Sequence, residues 1–174
     1  VNQDGTGGSP LGKFDDQFNL DLQHNRTGVL SFAKSTDDTN DSQFFITEGP
    51  QRFLDFNHSV FGQLVEGEAH REALSNVPVN NATQNKPVNP IIITSATVFT
   101  DNENGVVMLK PTGTGTGTAT ITVTVTDTEG NSTSQTFTAT VVQDTANGAP
   151  FLNDIPAVQA QAGVPVTVNL SAQD

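Results

Sequence analysis

Ser42-Gln-Phe-Phe-Ile-Thr47 is the stretch that decides the fold. A polar pair leads into a short apolar run, a pattern typical of a buried strand. Because side chains alternate between the two faces of a strand, Gln43 and Phe45 are predicted to point to the same face. One face then presents an amide beside an aromatic ring. Ordinary half-buried strands also carry such a pair. The neighbouring segments therefore have to show whether this face is functional or only structural.

The flanking segments predict further β-structure and one short helix. Three more strands are expected from their β-branched and aromatic residues, at residues 29–33, 60–65 and 88–98. A helix is expected over residues 68–76, because small apolar residues recur there at every fourth position. Pro78 ends it. The polar residues 35–41 are expected to form a surface loop.

Composition excludes several classes of protein. The chain has 174 residues, a formal net charge of −12, and no Cys, Trp or Tyr. Without Cys, no disulfide can form. The chain also has no stripe of basic residues to neutralise phosphates, which argues against nucleic acid as a partner. No apolar run is long enough to span a membrane. Because the sequence opens inside a motif and closes at Asp174 partway through an apparent repeat, we expect it to be part of a longer protein.

The composition changes near residue 100. Residues 119–126 alternate Thr with apolar residues, and residues 134–142 alternate again after a five-residue turn, which predicts an antiparallel hairpin. This part resembles bacterial immunoglobulin-like or cadherin-like repeats, which implies β-sandwich strands in a partial repeat at 101–146. A further repeat would begin at 147–174. The alternative is a two-stranded annex on the sheet of the first hundred residues.

The first hundred residues resemble the cyclophilins, which are peptidyl-prolyl cis-trans isomerases. The matching pieces share the family's order and spacing: Asp4-Gly-Thr-Gly-Gly8, Phe14-Asp-Asp-Gln-Phe18, His24, Gly28-Val-Leu-Ser-Phe-Ala33, Asn40-Asp-Ser-Gln-Phe-Phe-Ile-Thr47, Leu54-Asp-Phe-Asn-His58, Val60-Phe-Gly62 and Val65-Glu-Gly67. The resemblance covers residues 1–98. It implies a mainly β fold, namely a partial cyclophilin-like β-barrel with a short helix in a domain at 1–100 that lacks its N-terminal strands, followed by the Ig-like strands.

The resemblance also implies a substrate groove. Its ring pocket would consist of Phe45, Leu54 and His58, with Phe53 at the rim where many members carry Trp. Gln43 would orient the substrate backbone. The resemblance thus implies a catalytic set of His58, Gln43 and Phe45. The other groove residues that it implies bind substrate: Gly5, Ala33, Lys34, Ser35, Phe53 and Leu54.

Many family members carry Asn where this sequence has Lys34. The family's chemistry needs no metal and no cofactor, and its partners are proline-containing peptides or unfolded proteins.

One family feature is missing from the sequence. The catalytic Arg of cyclophilins precedes the glycine-rich loop, and Arg26, Arg52 and Arg71 do not match its motif. We therefore expect the parent protein to be the isomerase and this chain alone to be inactive. The alternative is a non-catalytic peptide-binding or adhesive module on a stalk of repeats.

The acidic turns and the repeats suggest a location outside the cytoplasm. The repeats, the excess of acid and the lack of Cys together predict a protein of the bacterial envelope or medium. Asp-bearing loops raise calcium binding as a minor alternative, although the ligand pattern of a known calcium loop is absent. Their carboxylates are Asp37, Asp38 and Asp41 in the first part of the chain and Asp127, Asp144, Asp154 and Asp174 in the apparent repeats.

Overall fold

The computed structural model describes residues 7–80, 85–113, 115–146, 150–152, 155, 157–170 and 172–173. The described residues of 1–106 and 147–174 group into one compact unit, and residues 107–146 form a second. Gly5, which the resemblance placed beside the groove, lies outside the described residues. The predicted division at residues 100 and 146 stays a prediction.

A three-stranded antiparallel sheet holds the stretch that opened the sequence. Its strands are β1 (Val29–Phe32), β2 (Phe44–Ile46) and β3 (Val60–Gln63), in the order β2-β1-β3. Ser31 of the central strand lies opposite Phe45 on one side and Val60 on the other, with a register shift between Leu30 and Ser31. The predicted strands around residues 29–33, 42–47 and 60–65 are therefore present in slightly shorter form.

The two faces of this sheet differ. Val29 and Ser31 of β1 are buried, whereas the alternate residues are only half-buried. Phe32, one of the half-buried residues, belongs to a series of four phenylalanine rings. Consecutive rings of the series have centroid distances of 4.9, 4.2 and 6.3 Å. We call this the phenylalanine cluster, and its members in order of contact are Phe14, Phe32, Phe61 and Phe44.

The mainly β fold with one short helix is confirmed, whereas the predicted partial barrel is not formed by the described residues. Among the described residues the strands form one three-stranded sheet and three two-stranded sheets, and these are not joined into a barrel. The phenylalanine cluster consequently stays open on one side, and Phe44 and Phe61 are 46% and 47% exposed.

The strand predicted at residues 88–98 is also absent. Among the nearby residues that the structure describes, a short pair forms between β4 (Val79–Asn80) and β5 (Lys86–Pro87). The apolar run that follows stays exposed, with Ile92 69% and Ile93 70% accessible. Its composition favours a strand, but a strand also needs a neighbour to share a hydrogen-bond ladder, and the described residues supply none here.

The predicted helix is confirmed as α1 (Glu68–Ser75), a two-turn helix with no buried residue. Gly67 precedes it in the left-handed conformation, with φ of 86°, which glycine adopts at little cost. Arg71 pairs with Glu68 at 2.7 Å one turn away. No helix among the described residues combines the length and apolar character needed to cross a bilayer.

The second unit contains the predicted hairpin. Strand β6 (Gly117–Thr126) pairs with β7 (Ser132–Val141) in uninterrupted register, so that Ile121 faces Phe137. The Asp127 carboxylate accepts hydrogen bonds from the backbone N–H groups of Glu129 and Asn131 and from the Asn131 amide. These bonds lower the pKa of Asp127, the Asn131 amide contributing most. An Ig-like sandwich built around this hairpin stays a prediction.

Residues 150–173 contribute one more pair of very short strands. β8 (Phe151–Leu152) pairs with β9 (Ala172–Gln173) in antiparallel register. The start of a further Ig-like repeat in this part of the sequence likewise stays a prediction.

Candidate functional site

His24 lies at the centre of a buried polar network. Its side chain is fully buried, and its Nδ1 lies 3.1 Å from Asp55 Oδ1 while its Nε2 lies 2.9 Å from Ser31 Oγ. The same Asp55 oxygen accepts the backbone N–H of His24 at 2.6 Å. The ring is therefore held by a strand on one side and by the segment after the Arg52–Leu54 turn on the other.

The Phe45 ring contacts two histidines. It stacks on His24 with centroids 5.9 Å apart and planes inclined by 15°, and it meets His58 edge to face at 5.7 Å and 83°. Both distances lie in the range of attractive ring contacts. The structure thus brings Phe45 and His58 together, as the resemblance implied.

The 3-10 turn Arg52–Leu54 ends at Leu54, four residues before His58 in the sequence. The backbone N–H of His58 donates to the carbonyl of Leu54 at 3.0 Å, and that of Gln51 donates to the carbonyl of His24 at 2.7 Å. Arg52 Nε donates to Asp55 Oδ2 at 2.5 Å. Leu54 is half-buried, whereas Phe53 is 73% exposed.

The two histidines are fixed in different ways. His58 Nδ1 lies 3.0 Å from the carbonyl of Phe32, so Nδ1 carries a proton and Nε2 is the acceptor of the neutral ring. Burial lowers the pKa of His24 and outweighs the opposing hydrogen bond and charge of Asp55. A neutral His24 then donates from Nδ1 to Asp55. The single proton of the Ser31 hydroxyl has two acceptors within reach, His24 Nε2 at 2.9 Å and the Ser59 carbonyl at 3.0 Å.

Ser31, His24 and Asp55 are hydrogen-bonded in the order of the nucleophile, base and acid of a catalytic triad. Hydrolases use that order when the nucleophile is open to substrate. Here the Ser31 and His24 side chains are both fully buried, so no substrate reaches the hydroxyl. The network of Ser31, His24 and Asp55 consequently has a structural role, which is to hold the His24 ring against Phe45.

The remaining residues implied for the groove occupy more open positions. The backbone N–H of Ala33 donates to the carbonyl of Gln43 at 3.0 Å, which places these two residues on neighbouring strand ends. Gln43 and Ser35 are exposed, and Ala33 is half-buried. Their contact with a substrate stays a prediction.

Lys34 is engaged by acidic residues of the protein itself. Its Nζ lies 2.5 Å from Asp16 and 2.9 Å from Asp37, and the Lys34 and Asp16 side chains are only 4% and 8% exposed. Burial acts to raise the pKa of Asp16, but hydrogen bonds from Lys34, Asn40 and the Asp38 backbone lower it overall. Burial likewise opposes the raised pKa of Lys34, and the hydrogen bonds to Asp16 and Asp37 prevail.

The sequence reasoning overlooked the supporting residues. His24 was noted as part of a motif, but Asp55, Ser31 and Asp16 were not singled out, although all three lie inside matching pieces. Polar residues inside otherwise apolar motifs were the available signal. Among the described residues no group of three or more His, Asp or Glu side chains is arranged to hold a metal ion.

Comparison with known proteins identifies the family. The model described as cyclophilin type peptidyl-prolyl cis-trans isomerase/CLD matches residues 1–98, which is more than half of the chain. The chain therefore belongs to the cyclophilin-type peptidyl-prolyl cis-trans isomerase family.

Individual relatives agree. The chain is 41% identical over 99 residues to the rat peptidyl-prolyl cis-trans isomerase-like 3, covering 56% of this chain and 61% of that protein. It is 42% identical over 96 residues to the human peptidylprolyl isomerase domain and WD repeat-containing protein 1, covering 54% of this chain and 15% of that protein.

A crystal structure of a Cryptosporidium parvum cyclophilin type isomerase, determined in the presence of the dipeptide Ala-Pro, is also similar. Its sequence identity is 35% and its TM-score 0.51, with coverage of 56% of this chain and 63% of that one. The chain thus spans 61% of the length of the isomerase-like 3 protein and 63% of the Cryptosporidium parvum chain, but 15% of the WD repeat-containing relative.

Proposed function

We propose that this chain carries the proline-binding part of a cyclophilin-type peptidyl-prolyl cis-trans isomerase, with Phe45, Leu54 and His58 seating the prolyl ring. The observation that carries the proposal is the edge-to-face contact of Phe45 with His58 over a fully hydrogen-bonded His24. Support also comes from the similarity to the Cryptosporidium parvum isomerase that was crystallised with Ala-Pro.

The chemistry asks for positioning rather than for covalent catalysis. Rotation about an X–Pro bond is opposed by amide resonance, with a barrier of about 18–20 kcal/mol. A catalyst holds the ring, grips the neighbouring carbonyl and weakens that resonance. Rings fixed by buried partners suit the first task, because a prolyl ring is apolar and must be held in one orientation.

We propose further that the parent protein is catalytic and that this chain alone binds without isomerising. The three arginines of the chain are already engaged: Arg26 with Gln63, Arg52 with Asp55, and Arg71 with Glu68. None of the three matches the motif of the family's catalytic Arg, so we propose that the donor to the prolyl nitrogen comes from elsewhere in the parent.

A protease-coupled assay on a prolyl peptide tests this division of labour. The chain alone is expected to leave the isomerisation rate at its uncatalysed value, while the parent protein accelerates it and loses that acceleration on Phe45→Ala. Acceleration by the chain alone that survives Phe45→Ala would refute the assignment of the pocket.

The second candidate function is a peptide-binding or adhesive module without catalysis. The engagement of all three arginines favours it for the chain in isolation. A parent protein that binds prolyl peptides but fails to accelerate their isomerisation would select this function over the first.

The proposal extends to the protein's place in the cell. We propose that residues 101–174 belong to Ig-like repeats of a secreted bacterial protein, supported by the alternating sequence and regular register of the β6–β7 hairpin. The relatives named above are eukaryotic, so the bacterial origin rests on this pattern alone. An export signal at the start of the parent is the expected finding, and a start without one removes the claim.

A further inference from the structure

The buried His24 network has no direct part in the proposed chemistry, yet it contacts Phe45 of the proposed pocket and Asp55, which lies between Leu54 and His58 in the sequence. Its ring lies against Phe45 of β2, its Nε2 against Ser31 of β1, and its Nδ1 and backbone N–H against Asp55. Its carbonyl accepts the N–H of Gln51, one residue before the turn that bears Leu54.

We propose that His24 is a positioning residue that sets the Phe45 ring and the Arg52–Leu54 turn in register with each other, a role that deepens the proposed prolyl-peptide site and rests on it. The ring cannot rotate without breaking a hydrogen bond at one of its two nitrogens. Because it is stacked on Phe45 at 15°, its orientation is passed to the ring that would contact the substrate.

The same network fixes the opposite wall of the pocket. Asp55 holds His24 with one carboxylate oxygen and Arg52 with the other, and it is itself only 3% exposed. His58, which follows in the same segment, contacts the Phe45 ring edge to face. A shift of His24 therefore displaces Phe45 relative to Leu54 and His58, and side chains that bind a small rigid ring tolerate little displacement.

His24→Asn tests this role, because Asn retains a donor for Asp55 but removes the ring that stacks on Phe45. His70→Asn is the matched control, since His70 is exposed on α1. The chain is labelled with ¹³C at Phe and His, and cross-relaxation between the Phe45 and His58 rings is measured together with binding of an acetyl-Ala-Pro amide.

The proposal predicts that His24→Asn keeps the β1–β3 amide signals but loses the Phe45–His58 cross-peak. It also predicts that peptide binding weakens by up to about 100-fold, the scale that a misplacement of about 1 Å can reach. His70→Asn is expected to change neither. An undisturbed cross-peak with unchanged peptide affinity in His24→Asn overturns the proposal.

A second variant protects the test against unfolding of the first. Asp55→Asn keeps the side-chain shape and an oxygen for the His24 backbone N–H, while it removes the charge on which the ring and Arg52 depend. The same loss of the ring cross-peak is expected, and its retention in a folded Asp55→Asn chain counts against the proposal.

The outcomes separate this inference from the proposed function. If the unmodified chain fails to bind the prolyl peptide, the proposed function fails for this chain. The cross-peak still decides whether His24 positions Phe45.

Discussion

Replacement of Lys34 by Met separates a structural role from a substrate-binding role at the same position. Met keeps most of the apolar stem and removes only the ammonium group. That group lies 2.5 Å from Asp16 and 2.9 Å from Asp37, and 5.8 Å from the centroid of the Phe18 ring. We expect Lys34→Met to destabilise the β1–β3 unit and to leave prolyl-peptide binding by the folded chain unchanged.

The magnitude follows from the surroundings of the two carboxylates. Asp37 is 88% exposed, so its loss of a partner contributes little, as for other surface pairs. Asp16 is 8% exposed and keeps two hydrogen bonds, from Asn40 Nδ2 at 2.7 Å and the Asp38 backbone at 3.1 Å. A buried charge stripped of its partner costs about 3–5 kcal/mol, and these two bonds reduce the cost to about 2 kcal/mol.

Amide hydrogen exchange measures this cost locally. The backbone N–H groups of Phe32 and Thr47 donate within the sheet at 3.0 Å and report its opening. A cost of about 2 kcal/mol corresponds to exchange about 30-fold faster. Lys13→Met is the matched control, because Lys13 is exposed.

The reasoning is refuted if Lys34→Met accelerates exchange no more than Lys13→Met does. A large loss of peptide affinity in a chain that remains folded would instead assign Lys34 to the groove.

Three further predictions follow from other parts of the same unit. Gly28→Ala should destabilise the chain by about 1–2 kcal/mol, because Gly28 has φ of 80° and an added Cβ would lie 3.0 Å from Leu64 Cβ. Gly49→Ala, with open space around it, is the neutral control for the same denaturation measurement. The free energy of unfolding should decrease as the pH is lowered below about 6.5, and decrease further below about 3.8. The reason is that the folded pKa values of His24 and Asp16 lie below these reference values, so the unfolded chain binds more protons there. His24→Phe should remove the first of these two decreases in a pH series of thermal melts, and its persistence would contradict the assignment. Phe45→Ala should abolish measurable binding of an acetyl-Ala-Pro amide by calorimetry, whereas unchanged binding would place the peptide elsewhere.

The sequence predicted the local elements well where a pattern and a partner were both present. The alternation at residues 119–126 and 134–142 carries its own partner across a five-residue turn, and the hairpin forms in full register. The run at 88–98 has an equally β-prone composition but finds no partner among the described residues. Composition records the preference of a segment, whereas a strand exists only in a ladder.

The sequence predicted the residues that would contact the substrate, but not the buried residues that hold them in place. Phe45 and His58 stood out through a family motif, and the structure places their rings in contact. The role of Asp55 depends on a pairing with His24 over 31 positions of sequence, which no local pattern records. Lys34 shows the same limit, since its partner Asp16 lies 18 residues away.

The measurement that tests the central claim most directly is the set of nuclear Overhauser contacts between a bound acetyl-Ala-Pro amide and the chain. The account predicts contacts from the prolyl ring protons to Phe45 and His58. An acetyl-Ala-Ala amide at the same concentration is expected to give none. Contacts from the prolyl ring to Phe44 and Phe61 of the phenylalanine cluster, with none to Phe45 or His58, would contradict the account.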